Sequence, residues 1–103
     1  MDILMACAGG MSSSIVAQGL AQEAKKHGVD AYVEATHIGK IKEKMTEKKW
    51  VCILLAPQVR YHHAIVEKEI ENVIPVLDIE GLEYTPMGAQ QLFNKIQKAI
   101  EKK

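Results

Sequence analysis

No run of apolar residues in this sequence approaches the roughly 20 that a membrane-crossing helix needs. An excess of charge of either sign is also missing: 13 lysines and arginines stand against 13 aspartates and glutamates, for a formal net charge of zero. Bulk electrostatics therefore lend no support to nucleic-acid binding. Cysteine is scarce. Cys7 and Cys52 are the only two, which is too few for a disulfide framework and makes a reducing compartment the simpler setting. No Cys-x-x-Cys pair exists for thiol redox chemistry. The histidines, His27, His37, His62 and His63, show no zinc-site spacing. Met1-Asp2-Ile3 lacks the basic region of a signal peptide, so a cytoplasmic protein is expected. What remains is an ordinary globular composition, 48% hydrophobic and 25% charged over 103 residues, which suits one domain spanning 1–103.

The chemistry is concentrated in Cys7-Ala8-Gly9-Gly10-Met11-Ser12-Ser13-Ser14. A short apolar run, Ile3 to Ala6, precedes it, and a helix-forming segment follows from Ile15. The order is strand, tight loop, helix, with a cysteine at the hinge. Gly9 and Gly10 permit a close approach of ligand to main chain, and Ser12, Ser13 and Ser14 suit the N-cap. Free N–H groups and the helix dipole at such a start bind anions. The same field favours a thiolate, so Cys7 is expected to be exposed and nucleophilic, whereas Cys52, inside an apolar run, is expected to be inert. A cysteine ending a buried strand is commonly a core residue, and glycine-serine clusters commonly mark loops. Their combination in this order points to a nucleophile beside an anion cradle.

Elsewhere the pattern alternates. Asp2 to Ala6 reads as a first strand and Ser14 to His27 as a helix stopped by Gly28. Asp30 to Thr36 alternates like an edge strand, and a short helix carries Ile38, Ile41 and Met45 on one stripe. Trp50 to Ala56 is continuously apolar, as a strand covered on both faces is. Gln58 to Glu71 reads as a helix with Val59, His63, Val66 and Ile70 inward; His62 points about 100° away, so the two histidines cannot face one site. Val73 to Leu77 reads as a strand that Pro75 confines to an edge. Asp78 to Tyr84 reads as a loop. Thr85 and Pro86 open a last helix with Leu92, Phe93 and Ile96 on its apolar stripe and Lys95 outside. The expected fold is α/β: a single open four-stranded parallel sheet in the order 2-1-3-4, with helices on both faces. Its switch point, between strands 1 and 3 at their carboxyl ends, brings Cys7 and Pro57-Gln58 to one crevice.

The loop resembles that of the IIB components of the bacterial sugar phosphotransferase system, lactose/cellobiose (N,N′-diacetylchitobiose) type. Those proteins carry Cys-x-x-Gly-Met-Ser-(Thr/Ser)-Ser after the first strand, and Cys7, Gly10, Met11, Ser12, Ser13 and Ser14 fill every specified position. The galactitol and ascorbate types are less similar, since their loops usually begin Cys-Gly-x-Gly. The resemblance continues at Leu55-Ala56-Pro57-Gln58-Val59-Arg60-Tyr61, and again at Pro75-Val76-Leu77-Asp78 and Tyr84. It implies a phosphoryl carrier without a cofactor. Cys7 would take a phosphoryl group from a phosphohistidine on a IIA protein and pass it to a sugar, a β-linked disaccharide, held by a membrane IIC permease. Backbone N–H groups from Ala8 to Ser14 would stabilise the transferring group. Pro57, Gln58, Arg60, Tyr61, Asp78 and Tyr84 would support the loop or meet the partner. The chain would work in the cytoplasm, peripherally at the permease and without entering the membrane.

The fold also resembles that of low-molecular-weight tyrosine phosphatases, and these, with the arsenate reductases, supply the rival reading. Their loop is Cys-x5-Arg-Ser. Here Ser13 occupies the arginine position, which removes a bidentate grip on phosphate. No Asp-Pro pair is present to supply the phosphatase acid. A response-regulator module would need an acidic cluster at the strand ends, whereas Asp2 lies at the wrong end of its strand and Asp78 stands alone in the sequence.

Overall fold

A computed structural model describes residues 1–8 and 12–101; the side chains of Ser12, Ser13 and Pro86 are not among what it describes. Four strands, β1 (Asp2–Cys7), β2 (Tyr32–His37), β3 (Cys52–Leu55) and β4 (Val76–Asp78), form one sheet in the order β2-β1-β3-β4. All three pairings are parallel. The α/β fold and strand order therefore match the expectation.

The sheet is covered on both faces because its central strands alternate two apolar sets. Ile3 and Met5 of β1 and Cys52 and Leu54 of β3 meet α1 (Ser12–Lys26) and α4 (Ala89–Glu101) through Val16, Leu20, Leu92, Phe93 and Ile96. Leu4, Ala6, Ile53 and Leu55 face the other way. They meet Ile41 of α2 (Ile41–Met45), Val66 of α3 (His63–Glu69) and the buried Val59. Sequential side chains of a strand point to opposite faces, so an unbroken apolar run fills both layers.

The caps explain the element ends. After α1, Val29 N–H donates to Ala24 O at 2.9 Å and Gly28 N–H to Lys25 O at 3.0 Å. Gly28 takes the positive φ of 74° that this helix stop requires. Thr85 accepts from Gly88 N–H and opens a 3-10 turn, Pro86–Gly88, ahead of α4.

Several boundaries differ from the sequence expectation: β4 starts at Val76, after Pro75, and not at Val73, and β2 starts at Tyr32 and not at Asp30. The helix expected from Gln58 begins as a 3-10 segment, Pro57–His62, and becomes α-helical only at His63. Trp50 lies outside β3, anchored by its indole N–H donating to Lys44 O at 2.9 Å. Asp78, expected in a loop, ends β4 because the ladder with β3 extends to Leu55 and Asp78.

Candidate functional site

The carboxyl ends of β1 and β3 lie side by side. Ala6 and Leu55 are ladder partners, and Ala56 N–H donates to Ala6 O at 2.9 Å. Cys7 takes the last ladder position of β1, opposite His37 of β2. α1 starts five positions later, at Ser12, and so turns its unpaired N–H groups toward this end of the sheet.

Cys7 is less open than the sequence suggested. It is only 5% exposed, and its Sγ donates to the carbonyl oxygen of Thr36 at 3.5 Å. The correction has a simple cause: Cys7 is the last residue of a central strand, flanked by β2 and β3, and still packs in the α2–α3 layer. Ala8 is exposed, and so is Ser14 in the first turn of α1. Gly9, Gly10 and Met11 lie outside the described residues. His37 is exposed, and its Nδ1 accepts from Gly39 N–H at 3.0 Å, which fixes the ring at the mouth of the β1–β2 pair.

The second segment opens at Pro57. Pro57 is half-buried, Gln58 is exposed, and buried Val59 anchors the turn to the core. Arg60 pairs with Glu80 at 3.3 Å. Tyr61 is 74% exposed, and its ring lies 4.4 Å from that of His62. The third segment follows β4. Asp78 Oδ1 lies 2.8 Å from His63 Nδ1. Tyr84 is half-buried and packs against both core layers.

Sequence reasoning missed the partners of two residues here. His63 was legible as an inward position on its helix, but its Nδ1–Asp78 and Nε2–Glu67 contacts, at 2.8 and 3.2 Å, were not. The hydrogen bond that the His63 ring donates to Asp78, acting against desolvation, holds the His63 pKa above the usual histidine value. Lys95, expected on the outer surface of α4, instead donates to Asp78 O at 2.9 Å and to Glu83 Oε1 at 2.8 Å. Glu83 is 8% exposed, and Lys95 and the Glu80 N–H satisfy its buried carboxylate. Nothing in the periodicity marks Glu83 as an inward residue. Among the described residues, no group of three or more His, Cys, Asp or Glu could hold a metal ion. No helix among them is long and apolar enough to cross a membrane.

Comparison with known proteins bears directly on this arrangement. A family model described as "PTS system, Lactose/Cellobiose specific IIB subunit" matches residues 2–95. The lactose-specific IIB component domain of the phosphoenolpyruvate:carbohydrate phosphotransferase system from Streptococcus pneumoniae has a similar structure. Its TM-score is 0.76 at 25% identity, covering 92% of this chain and 95% of that one. The cellobiose-specific phosphotransferase IIB component from Borrelia burgdorferi aligns with a TM-score of 0.76 at 28% identity, covering 100% of this chain and 94% of that one. No curated protein sequence matches significantly. With the family model spanning nearly the whole chain and the α/β fold matching solved IIB domains, this chain belongs to the lactose/cellobiose-specific IIB subunits, components of a sugar phosphotransferase system.

Proposed function

We propose that this chain is the phosphoryl carrier of its system and that Cys7 is the residue phosphorylated. The observation that carries the reading is the position of Cys7: the last residue of β1, at the sheet's switch point, with the start of α1 directed at the same end. In the first step the Cys7 thiol gives its proton to solvent, and Sγ attacks phosphorus on the phosphohistidine of a IIA protein. The P–N bond breaks, a P–S bond forms, and the departing imidazole nitrogen takes up a proton. In the second step a hydroxyl of the sugar held by the IIC permease attacks phosphorus. The hydroxyl gives its proton to solvent, the P–S bond breaks and the thiolate is restored. Both are displacements in which positioning and neutralisation of the equatorial oxygens dominate. Backbone N–H groups between Ala8 and Ser14 supply that neutralisation, aided by the dipole of α1.

The substrate class is a β-linked disaccharide, in keeping with the family, and the carrier works in the cytoplasm at the face of the permease. Pro57, Gln58, Arg60, Tyr61, Asp78 and Tyr84 support the loop or meet the partners. The test is incubation with the phosphorylated general carrier and candidate IIA proteins, followed by mass spectrometry of the intact chain and of its peptides. One phosphoryl group on the peptide containing Cys7, absent from Cys7→Ser, is the expected result. A phosphate mapped to a histidine ends the reading.

A further inference from the structure

Beside the crevice, on the β4 side, runs a closed circuit of polar contacts that the chemistry of Cys7 leaves unused. It begins at His63, the first residue of α3. Its Nδ1 lies 2.8 Å from Asp78 Oδ1 and its Nε2 lies 3.2 Å from Glu67 Oε2, one turn along α3. Both ring nitrogens thus face carboxylates, and only the imidazolium can donate to both. From Asp78 the circuit passes through the backbone: Lys95 Nζ donates to Asp78 O and to Glu83 Oε1. Glu83 Oε1 also accepts from Glu80 N–H at 2.9 Å, and the Glu80 carboxylate reaches Arg60. The His63 backbone N–H donates to Arg60 O and closes the ring of contacts.

We propose that His63 is a positioning residue for the phosphoryl-transfer reaction: as an imidazolium between Asp78 and Glu67, it ties segment Pro57–His62 to the end of β4 and holds Gln58 and Arg60 where the phosphoryl donor protein docks. The role in transfer rests on the carrier reading of Cys7; the clasp itself does not. His63 is not in contact with the nucleophile. Asp78 pairs with Leu55, and Leu55 with Ala6, so the clasp sits two strand spacings from β1, roughly 10 Å. Its effect on transfer is therefore on the shape of the docking surface.

The charge balance around the ring makes the clasp dependent on protonation. Asp78 faces it from β4 and Glu67 from α3. Arg60 and His62 lie on the preceding segment, Lys95 on α4, and Glu80 and Glu83 on the loop after β4. Arg60 is held by Glu80 and Lys95 by Glu83, so the carboxylates touching the ring prevail, as the raised pKa of His63 reflects. Below that pKa both contacts are attractive. As pH rises through it, one ring nitrogen turns a lone pair toward a carboxylate and the clasp loosens.

The experiment has two arms, each on the full chain. In the first, NMR follows the His63 ring and the amides of Gln58, Arg60 and Asp78 against pH. His63 should titrate above an ordinary histidine, and those amides should shift with the same midpoint in the parent and not in His63→Gln. In the second, transfer from a phosphorylated IIA protein to Cys7 is measured across the same pH range. In the parent, KM for the donor should rise roughly twofold to fivefold through the midpoint, the worth of a half-exposed ion pair. The kcat should not share that dependence. In His63→Gln, KM should be raised at low pH and lack the step. Glu67→Gln, which removes only the weaker contact, should lie between the two. Amides that ignore the His63 titration, or a His63→Gln protein with the parent's KM profile, overturn the proposal. A parent chain that no IIA protein phosphorylates on Cys7 defeats the carrier reading instead, and the amide titration still decides whether the clasp exists.

Discussion

The Cys7 thiol donates to the carbonyl oxygen of Thr36 at 3.5 Å, from the end of β1 to the edge strand β2. Only the protonated sulfur can make this contact. Loss of the thiol proton therefore gives this contact up. The contact keeps the resting thiol packed while leaving it at the rim of the sheet.

The two thiols should differ in reactivity. Cys52 lies in the middle of the apolar sheet at 0% exposure, and burial pushes its thiol up to about 12. Iodoacetamide at neutral pH should modify Cys7 in the folded protein and spare Cys52, with both modified in denaturant. Peptide mass spectrometry over time reads the order, and modification of Cys52 at the rate of Cys7 would contradict both assignments.

Ser13, the second residue of α1, stands where the phosphatase loop has arginine. A carrier needs a phosphocysteine that survives until its sugar acceptor arrives, and an arginine clamp would also stabilise the hydrolytic transition state. Ser13→Arg should tighten binding of inorganic phosphate, shorten the phosphocysteine lifetime and weaken delivery to the sugar. NMR titration with phosphate and timed mass spectrometry measure the first two. Unchanged values for both would remove the missing arginine as the distinction between carrier and phosphatase.

Gly88 is held against the loop that carries Glu83 and Tyr84. A Cβ there would meet Leu82 O at 2.3 Å and Glu83 Cα at 2.6 Å, both backbone atoms that cannot swing aside. Gly88→Ala should cost about 1–3 kcal/mol of stability in denaturant melts, the usual price of forced overpacking. Amide exchange should accelerate first between positions 79 and 88. A variant as stable as its parent would mean that the loop shifts freely.

Glu34 supplies an acid-sensitive contribution. The Lys44 ammonium, then the Tyr32 hydroxyl, holds its carboxyl below the usual glutamate range. A depressed carboxylate stabilises the fold above its unfolded pKa, about 4.3, and that contribution is lost as pH falls through the folded value. Glu34→Gln should therefore lower stability at neutral pH by up to about 1 kcal/mol. The gap to the parent should close as the solution is acidified. Thermal melts from neutral pH into acid test this, and a gap that widens in acid would reverse the sign.

The order of elements, the two-faced sheet and the place of Cys7 were legible in the sequence, because each follows from local pattern. Ile3 to Ala6 and Ile53 to Leu55 are apolar without interruption, as strands buried on both faces must be. Leu92, Phe93 and Ile96 repeat at helical spacing and are all fully buried. Strand order followed from connection rules acting on that alternation.

The tertiary structure alone decided how far Cys7 is buried and which charges meet. Thr36 is 29 positions from Cys7, Asp78 is 15 from His63, and Glu83 is 12 from Lys95. No periodicity links such residues. Each contact depends on where one strand end meets a helix that another part of the chain supplies. His63 reads locally as one more inward position on a helix, and Lys95 as one more outward lysine. The packing of α3 and α4 at the end of β4 brings a carboxylate to each of these cations, since a charge partly withdrawn from water must find a partner.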